Sequence, residues 1–130
     1  MSIYGIGVDQ VDLKRVKRLL NKSEDKFLKR CFTEQEIKYA KRFSDPSKRL
    51  GARFAAKEAL SKSFGTGIRD NLSFKDIEIL NDKMGKPFFY KSKKIDKIIK
   101  KKFKIKKYDL FLSLSDEKDH SIAFTILVKR

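Results

Sequence analysis

The stretch YGIGVDQVDLKRV, Tyr4 to Val16, changes character halfway along. Its first part alternates like a strand; its second part carries apolar residues at helical spacing. Period-two alternation over residues 3–11 puts Ile3, Gly5, Gly7, Asp9 and Val11 on one face, with Tyr4, Ile6 and Val8 on the other. Glycines leave their face low, so another backbone or a ligand can approach it closely. Asp9 then stands at the edge of the cleared space. A dinucleotide fingerprint would need a further glycine at position 10, where Gln10 stands instead. Taken alone, Asp9 reads as a cap for the helix that follows, or as the partner of a lysine.

Outward from this stretch, residues 12 to about 21 read as a basic amphipathic helix with Leu13, Val16, Leu19 and Leu20 on its apolar side. FTEQEIKYAKRF opens with a capping box, Thr33 followed by Glu36, which predicts a helix start. Pro46, within SDPSK, opens a longer helix expected to run to Phe64 and to stop at Gly65. In the second half FKDIEIL alternates, NDKMGK is turn chemistry and PFFY is extended, which predicts a hairpin. KKIDKIIKKKF carries Ile95, Ile98, Ile99 and Phe103 at helical spacing. LFLSLS, DEKD and HSIAFTILVK predict a second hairpin, with Ser113, Ser115, Ala123 and Thr125 expected on one small, partly polar face. The fold class is α+β, a single domain over residues 1–130 in which an antiparallel sheet packs against a long central helix.

With 130 residues, 40% hydrophobic and 12% aromatic, the chain can bury a real core. The formal charge of +16 favours an acidic partner, unless the lysines only decorate a solvated surface. One cysteine excludes a disulfide framework, and one histidine excludes a His-pair metal site. No apolar segment approaches the length of a membrane span and the N-terminus does not read as a signal peptide, so a cytoplasmic location is expected.

RFAAKEALSKSFGTG places Ala52, Ala56, Ala59 and Leu60 on one helical face, and small residues there let the helix pack close to a sheet, the glycine face of the first strand being the natural seat. Glu58 and Lys62 stand four apart on a different face, the spacing of an ordinary surface ion pair. Glu58 also follows Phe54 by one turn, which suggests partial burial. Two carboxylates without histidine or thiolate, Asp9 and Glu58, suit a hard ion such as Mg²⁺. The GTG that follows, Gly65 to Gly67, offers backbone amides to an anion but is no Walker loop. With Lys62, the set suggests a diphosphate.

In order and spacing, GIGVDQVDLKRV, FTEQEI, RFAAKEALSKSFGTGI, DIEILND with GKP, and LSLS with HSIAFTIL resemble the holo-acyl-carrier-protein synthases, the short bacterial 4'-phosphopantetheinyl transferases. The resemblance covers about residues 3–128. It implies transfer of 4'-phosphopantetheine from coenzyme A to a serine of apo acyl carrier protein, with release of adenosine 3',5'-bisphosphate, in fatty acid biosynthesis. It implies Asp9 and Glu58 as Mg²⁺ ligands, with Lys62 beside the reacting phosphates. Arg53, Gly65, Thr66, Gly67, Lys86, Pro87 and Ser115 match coenzyme A-binding positions. Lys14, Arg15 and Arg18 match the surface that meets the acidic carrier protein. It also implies a homotrimer with active sites shared between neighbours. One position departs from the family: Asp116 stands where its histidine would follow Ser115, and His120 falls four residues later. Two rival readings of the charge, a nucleic-acid module using Lys91 to Lys107 and a membrane-surface helix over residues 93–104, account for neither Asp9, Glu58 nor GTG.

Overall fold

The computed structural model describes residues 1–69 and 71–130. Strand β1 (Ser2–Asp12) leads into helix α1 (Leu13–Cys31), followed by α2 (Glu34–Ala40) and the long α3 (Pro46–Ser63). A short hairpin, β2 (Ile79–Asn81) and β3 (Pro87–Phe89), precedes α4 (Lys93–Lys97) and the closing hairpin of β4 (Tyr108–Asp116) and β5 (His120–Lys129). The main sheet is antiparallel in the order β1-β5-β4, and β2-β3 forms a sheet of its own.

Local chemistry sets the helix ends. Asp12 caps α1 by accepting from the Lys14 amide at 2.9 Å, Asp45 does the same for α3 through Ser47, and Pro46 takes the first turn of α3, where a missing N–H costs nothing. The Thr33–Glu36 capping box forms with both reciprocal bonds. α1 runs to Cys31 rather than ending near residue 21, because a kink at Ser23 (φ −149°, ψ 50°) lets the helix continue and bury Phe27 and Leu28. The isoleucine-rich segment holds only five α-helical residues before widening into a π-turn over residues 98–102, with Ile95 and Ile99 buried.

The glycine face is where the fold is decided. A Cβ on Gly7 would lie 1.8 Å from the Ala59 carbonyl oxygen, and one on Gly5 1.9 Å from that of Ser63. The backbone of α3 therefore rests directly on β1. Ala52, Ala55, Ala56 and Ala59 are buried along α3, and Leu50 and Leu60 fill the space on either side, each burial contributing about 1.5–3 kcal/mol. Ile3 does not share this face. Tyr4 is the extra residue of a bulge between Ile3 and Gly5, the alternation slips there, and Ile3 is exposed.

The expected face of Ser113, Ser115, Ala123 and Thr125 does not form either. Ser113 pairs with Phe124 and Ser115 with Ile122, while Ala123 and Thr125 pair with Leu114 and Leu112 and are fully buried beneath α3. The serines lie on the outer face of the sheet, the alanine and threonine on the inner one, because the hairpin register is one residue away from the expected one.

A buried ion pair locks the helices to the small hairpin. Lys57 Nζ donates to Glu36 Oε1 (2.6 Å) and to the carbonyls of Cys31 (2.7 Å) and Phe74 (3.0 Å). Glu36 also accepts from the amides of Thr33 and Ile79, both at 3.0 Å. Burial pulls the Lys57 pKa below the ordinary lysine value, with Glu36 opposing it. Such a pair adds little net stability against an apolar replacement, but it fixes α2, the end of α1 and β2 relative to α3.

Candidate active site

The residues expected to act fall into two clusters on opposite sides of α3. Asp9 projects from the inner face of β1, its side chain 19% exposed, toward the last turns of α3. Lys62 Nζ donates to Asp9 Oδ1 at 3.0 Å and to the Val8 carbonyl at 3.1 Å. The ion pair expected between Glu58 and Lys62 does not form: Lys62 reaches across to the strand instead, since α3 lies on β1. Glu58, half-buried one turn earlier, has its pKa raised first by loss of water and next by the charge of Asp9, with Lys62 opposing.

The two carboxylates thus act on one another electrostatically, and the one lysine beside them is bonded to Asp9 alone of the pair. That is a hard-oxygen donor set short of positive charge, and it fits a hard divalent cation. Among the described residues no group of three or more His, Cys, Asp or Glu side chains comes together, so the protein would supply two ligands and leave the rest to water or substrate oxygens.

The GTG turn serves the helix. The Gly65 amide donates to the Lys62 carbonyl (2.9 Å) and the Gly67 amide to that of Ser61 (3.1 Å), both glycines with positive φ. These two amides close the C-terminus of α3 and do not point outward, contrary to the anion cradle expected from the sequence. Thr66 faces a separate cavity of about 580 Å³, walled by Phe64, Ile98 and Phe103 and rimmed by lysines of α4 and the π-turn.

The second cluster lines a cavity of about 380 Å³ between the first half of α3, the small hairpin and β4. Arg53, Lys86 and Pro87 meet there, joined by Arg49, Asn81 and Asp116. Arg53 is buried, donates to Asn81 Oδ1 and stacks on the Tyr39 ring, 4.4 Å from its centroid. Its Nε is buried without a partner, an orphaned donor that an incoming acceptor would satisfy. Burial works against the Arg53 charge, and Glu36 and Tyr39 offset it. Tyr39 and Asn81 were not legible as site residues, since no spacing rule links segments brought together by tertiary packing alone.

The remaining candidates stand apart from both clusters. Lys14, Arg15 and Arg18 are exposed at the start of α1, and among the described residues none of them has a carboxylate partner; the nearest pair, Lys17 with Asp45, is 3.4 Å. Ser115 is exposed on the outer face of the sheet, away from Asp9 and Glu58. At roughly 100° per helical residue, Arg53 and Lys62 point to opposite sides of α3. Among the described residues, the cavities that Arg53 lines include none of Asp9, Glu58 and Lys62.

A family profile described as the 4'-phosphopantetheinyl transferase superfamily matches residues 5–125. The chain belongs to that superfamily, a class of group-transferring enzymes. The holo-acyl-carrier-protein synthase of Pelagibacter ubique is 50% identical over 130 residues, covering all of both chains. The crystal structure of the Neisseria meningitidis holo-acyl-carrier-protein synthase superposes with a TM-score of 0.87 at 41% identity, over 98% of this chain and 99% of that one. The Helicobacter pylori enzyme, solved in complex with coenzyme A, gives 0.81 at 32% identity, over 95% and 99%. Within the superfamily, the chain is an enzyme of the holo-acyl-carrier-protein synthase family.

Proposed function

We propose that this chain transfers the 4'-phosphopantetheine group of coenzyme A to a serine hydroxyl of apo acyl carrier protein, releasing adenosine 3',5'-bisphosphate, in the cytoplasm and with Mg²⁺ as cofactor. The observation that carries the reading is the meeting of Asp9, Glu58 and Lys62 where α3 crosses β1. Two carboxylates and a lysine are the groups needed to seat a diphosphate with its cation.

Asp9 and Glu58 would hold Mg²⁺, which supplies charge neutralisation to the diphosphate when bound. Lys62 is held by Asp9 and the Val8 carbonyl with its side chain half-exposed, so one ammonium hydrogen remains for a phosphate oxygen. Placed there, it would stabilise negative charge gathering on the departing nucleotide phosphate. The work left to the protein is alignment, since phosphoryl transfer asks for positioning and charge more than for covalent help. Arg49, Arg53 and Lys86 supply cations for the nucleotide end, and Lys14, Arg15 and Arg18 face the acidic carrier, steering it in a salt-sensitive way.

Separation of the two clusters supports a shared site: the nucleotide cavity of one copy would complete the carboxylate cluster of its neighbour in a homotrimer. The outer face of the sheet offers the surface for it, with Ile6, Val8, Phe111, Ile122 and Phe124 exposed side by side. Ser115 lies on this same face, where it could meet a neighbour's ligand. Among the described residues no helix is long and apolar enough to cross a membrane, and Ile95 and Ile99 of the basic segment are spent in the core.

The test is the intact mass of apo acyl carrier protein after incubation with the chain, coenzyme A and Mg²⁺. A gain of one phosphopantetheine, abolished by EDTA and lowered at least a hundredfold in rate by Asp9→Asn, is expected, on the order of the loss seen when a charged group at a reacting centre is removed. A mass unchanged across carrier and coenzyme A concentrations would overturn the reading.

A further inference from the structure

The 380 Å³ cavity carries a charge pattern that a phosphate-binding role leaves unexplained. Arg49, Arg53 and Lys86 line it, and so does one carboxylate, Asp116. A lone carboxylate and a cation in one small cavity would be expected to pair. They do not: among the described residues Asp116 makes no ion pair. Its Oδ1 instead accepts the Ser121 hydroxyl at 2.7 Å, across the β4–β5 pair that joins these two residues. Ser121 is fully buried, so the carboxylate is held by a neutral donor that the fold itself fixes. Arg49 lies over the Phe43 ring at 4.1 Å, and Arg53 stacks on Tyr39 and donates to Asn81, which leaves its Nε free for a ligand rather than for Asp116.

We infer that Asp116 is a specificity-determining residue: its carboxylate accepts a ribose hydroxyl of the bound nucleotide and weakens the cavity's hold on an additional phosphate there, so that the nucleotide end of the co-substrate is taken with or without its 3'-phosphate. The inference rests on the proposed placement of that nucleotide in this cavity. An ionised carboxylate can only accept hydrogen bonds, so a ligand atom touching its free oxygen must be a donor. A hydroxyl qualifies and a phosphate dianion does not. The same exchange distinguishes dinucleotide sites, where an acid reads a free ribose hydroxyl and an arginine reads a phosphate in its place. Here both kinds of group line one cavity, and the outcome is tolerance rather than selection for phosphate.

Titration calorimetry of the purified chain with adenosine 3',5'-bisphosphate and with adenosine 5'-monophosphate tests this directly, without turnover. The native chain is expected to bind the two within about tenfold of each other, and Asp116→Asn to raise the preference for the bisphosphate by about tenfold, the effect of removing one unit charge roughly 6 Å from a phosphate at a partly solvated wall. Asp116→Ser should do the same if asparagine perturbs the hairpin, and coenzyme A against 3'-dephospho-coenzyme A should show the same change in kcat/KM ratio. A ratio unaltered in both variants, or equal gains for both nucleotides, would overturn the inference and leave the enzyme reading intact. Binding of neither nucleotide by folded native chain would remove the placement of the nucleotide, and the inference with it.

Discussion

Glu58 is held in the fold at a cost. Its carboxyl is shifted upward by lost hydration and by Asp9, so folding favours the protonated form over the ionised one. The sign follows: as pH rises through the unfolded-chain value near ~4.3, ionisation begins to destabilise the fold, and the penalty is complete above the raised folded value. Glu58→Gln is therefore expected to melt about 1–3 °C above the native chain in EDTA at pH 7, with the gain vanishing below about pH 4. Thermal melts across pH check it, and a variant that melts lower at pH 7 would contradict the assignment. The substitution should remove activity while it stabilises, the usual trade at a site built from repelling charges.

At the scale of elements, everything turns on the contact of α3 with β1. Adding one methyl at Gly7 drives Cβ into the backbone oxygen of Ala59, which no rotamer change can relieve. Gly7→Ala is expected to lose at least about 2–3 kcal/mol in urea unfolding. At Gly51 the obstacle is only the tip of Leu13, 2.6 Å away, and Gly51→Ala should lose no more than about 1 kcal/mol. Equal losses at the two positions would mean that the helix does not rest on the strand. The same contact brings Lys62 within reach of Asp9, so Gly7→Ala should also disturb the carboxylate cluster. This much was legible beforehand: alternating glycines and a run of alanines are readable as two surfaces made to meet.

For the whole molecule, the outer face of the sheet is the unfinished surface. Ile6, Val8, Phe111 and Phe124 are 59%, 53%, 52% and 40% exposed, far from the usual state of large apolar side chains on a three-stranded sheet whose other face packs against α3. If the proposed homotrimer forms through this face, Phe124→Asp is expected to yield monomers in sedimentation velocity and, with shared sites, to abolish transfer even though Asp9, Glu58 and Lys62 are untouched. Full activity in a monomeric variant would refute site sharing.

The sequence by itself determined the α+β class, the starts of the four α-helices described and both hairpins, because caps, periodicity and glycine spacing are local signals that survive without a third dimension. FKDIEIL nonetheless opens as a 3-10 turn at Phe74–Asp76 before its strand begins at Ile79. It did not determine which face Ile3 or Ser113 would take, since a one-residue bulge or register slip inverts a strand's faces at no visible price in composition. Nor could it show that the Gly65 and Gly67 amides turn back into the helix, that Lys57 and Glu36 form a buried hub, or that Asp116 faces three cations. Those depend on which distant backbone arrives at each side chain, and only the packing of α3 against the sheet and the small hairpin decides that.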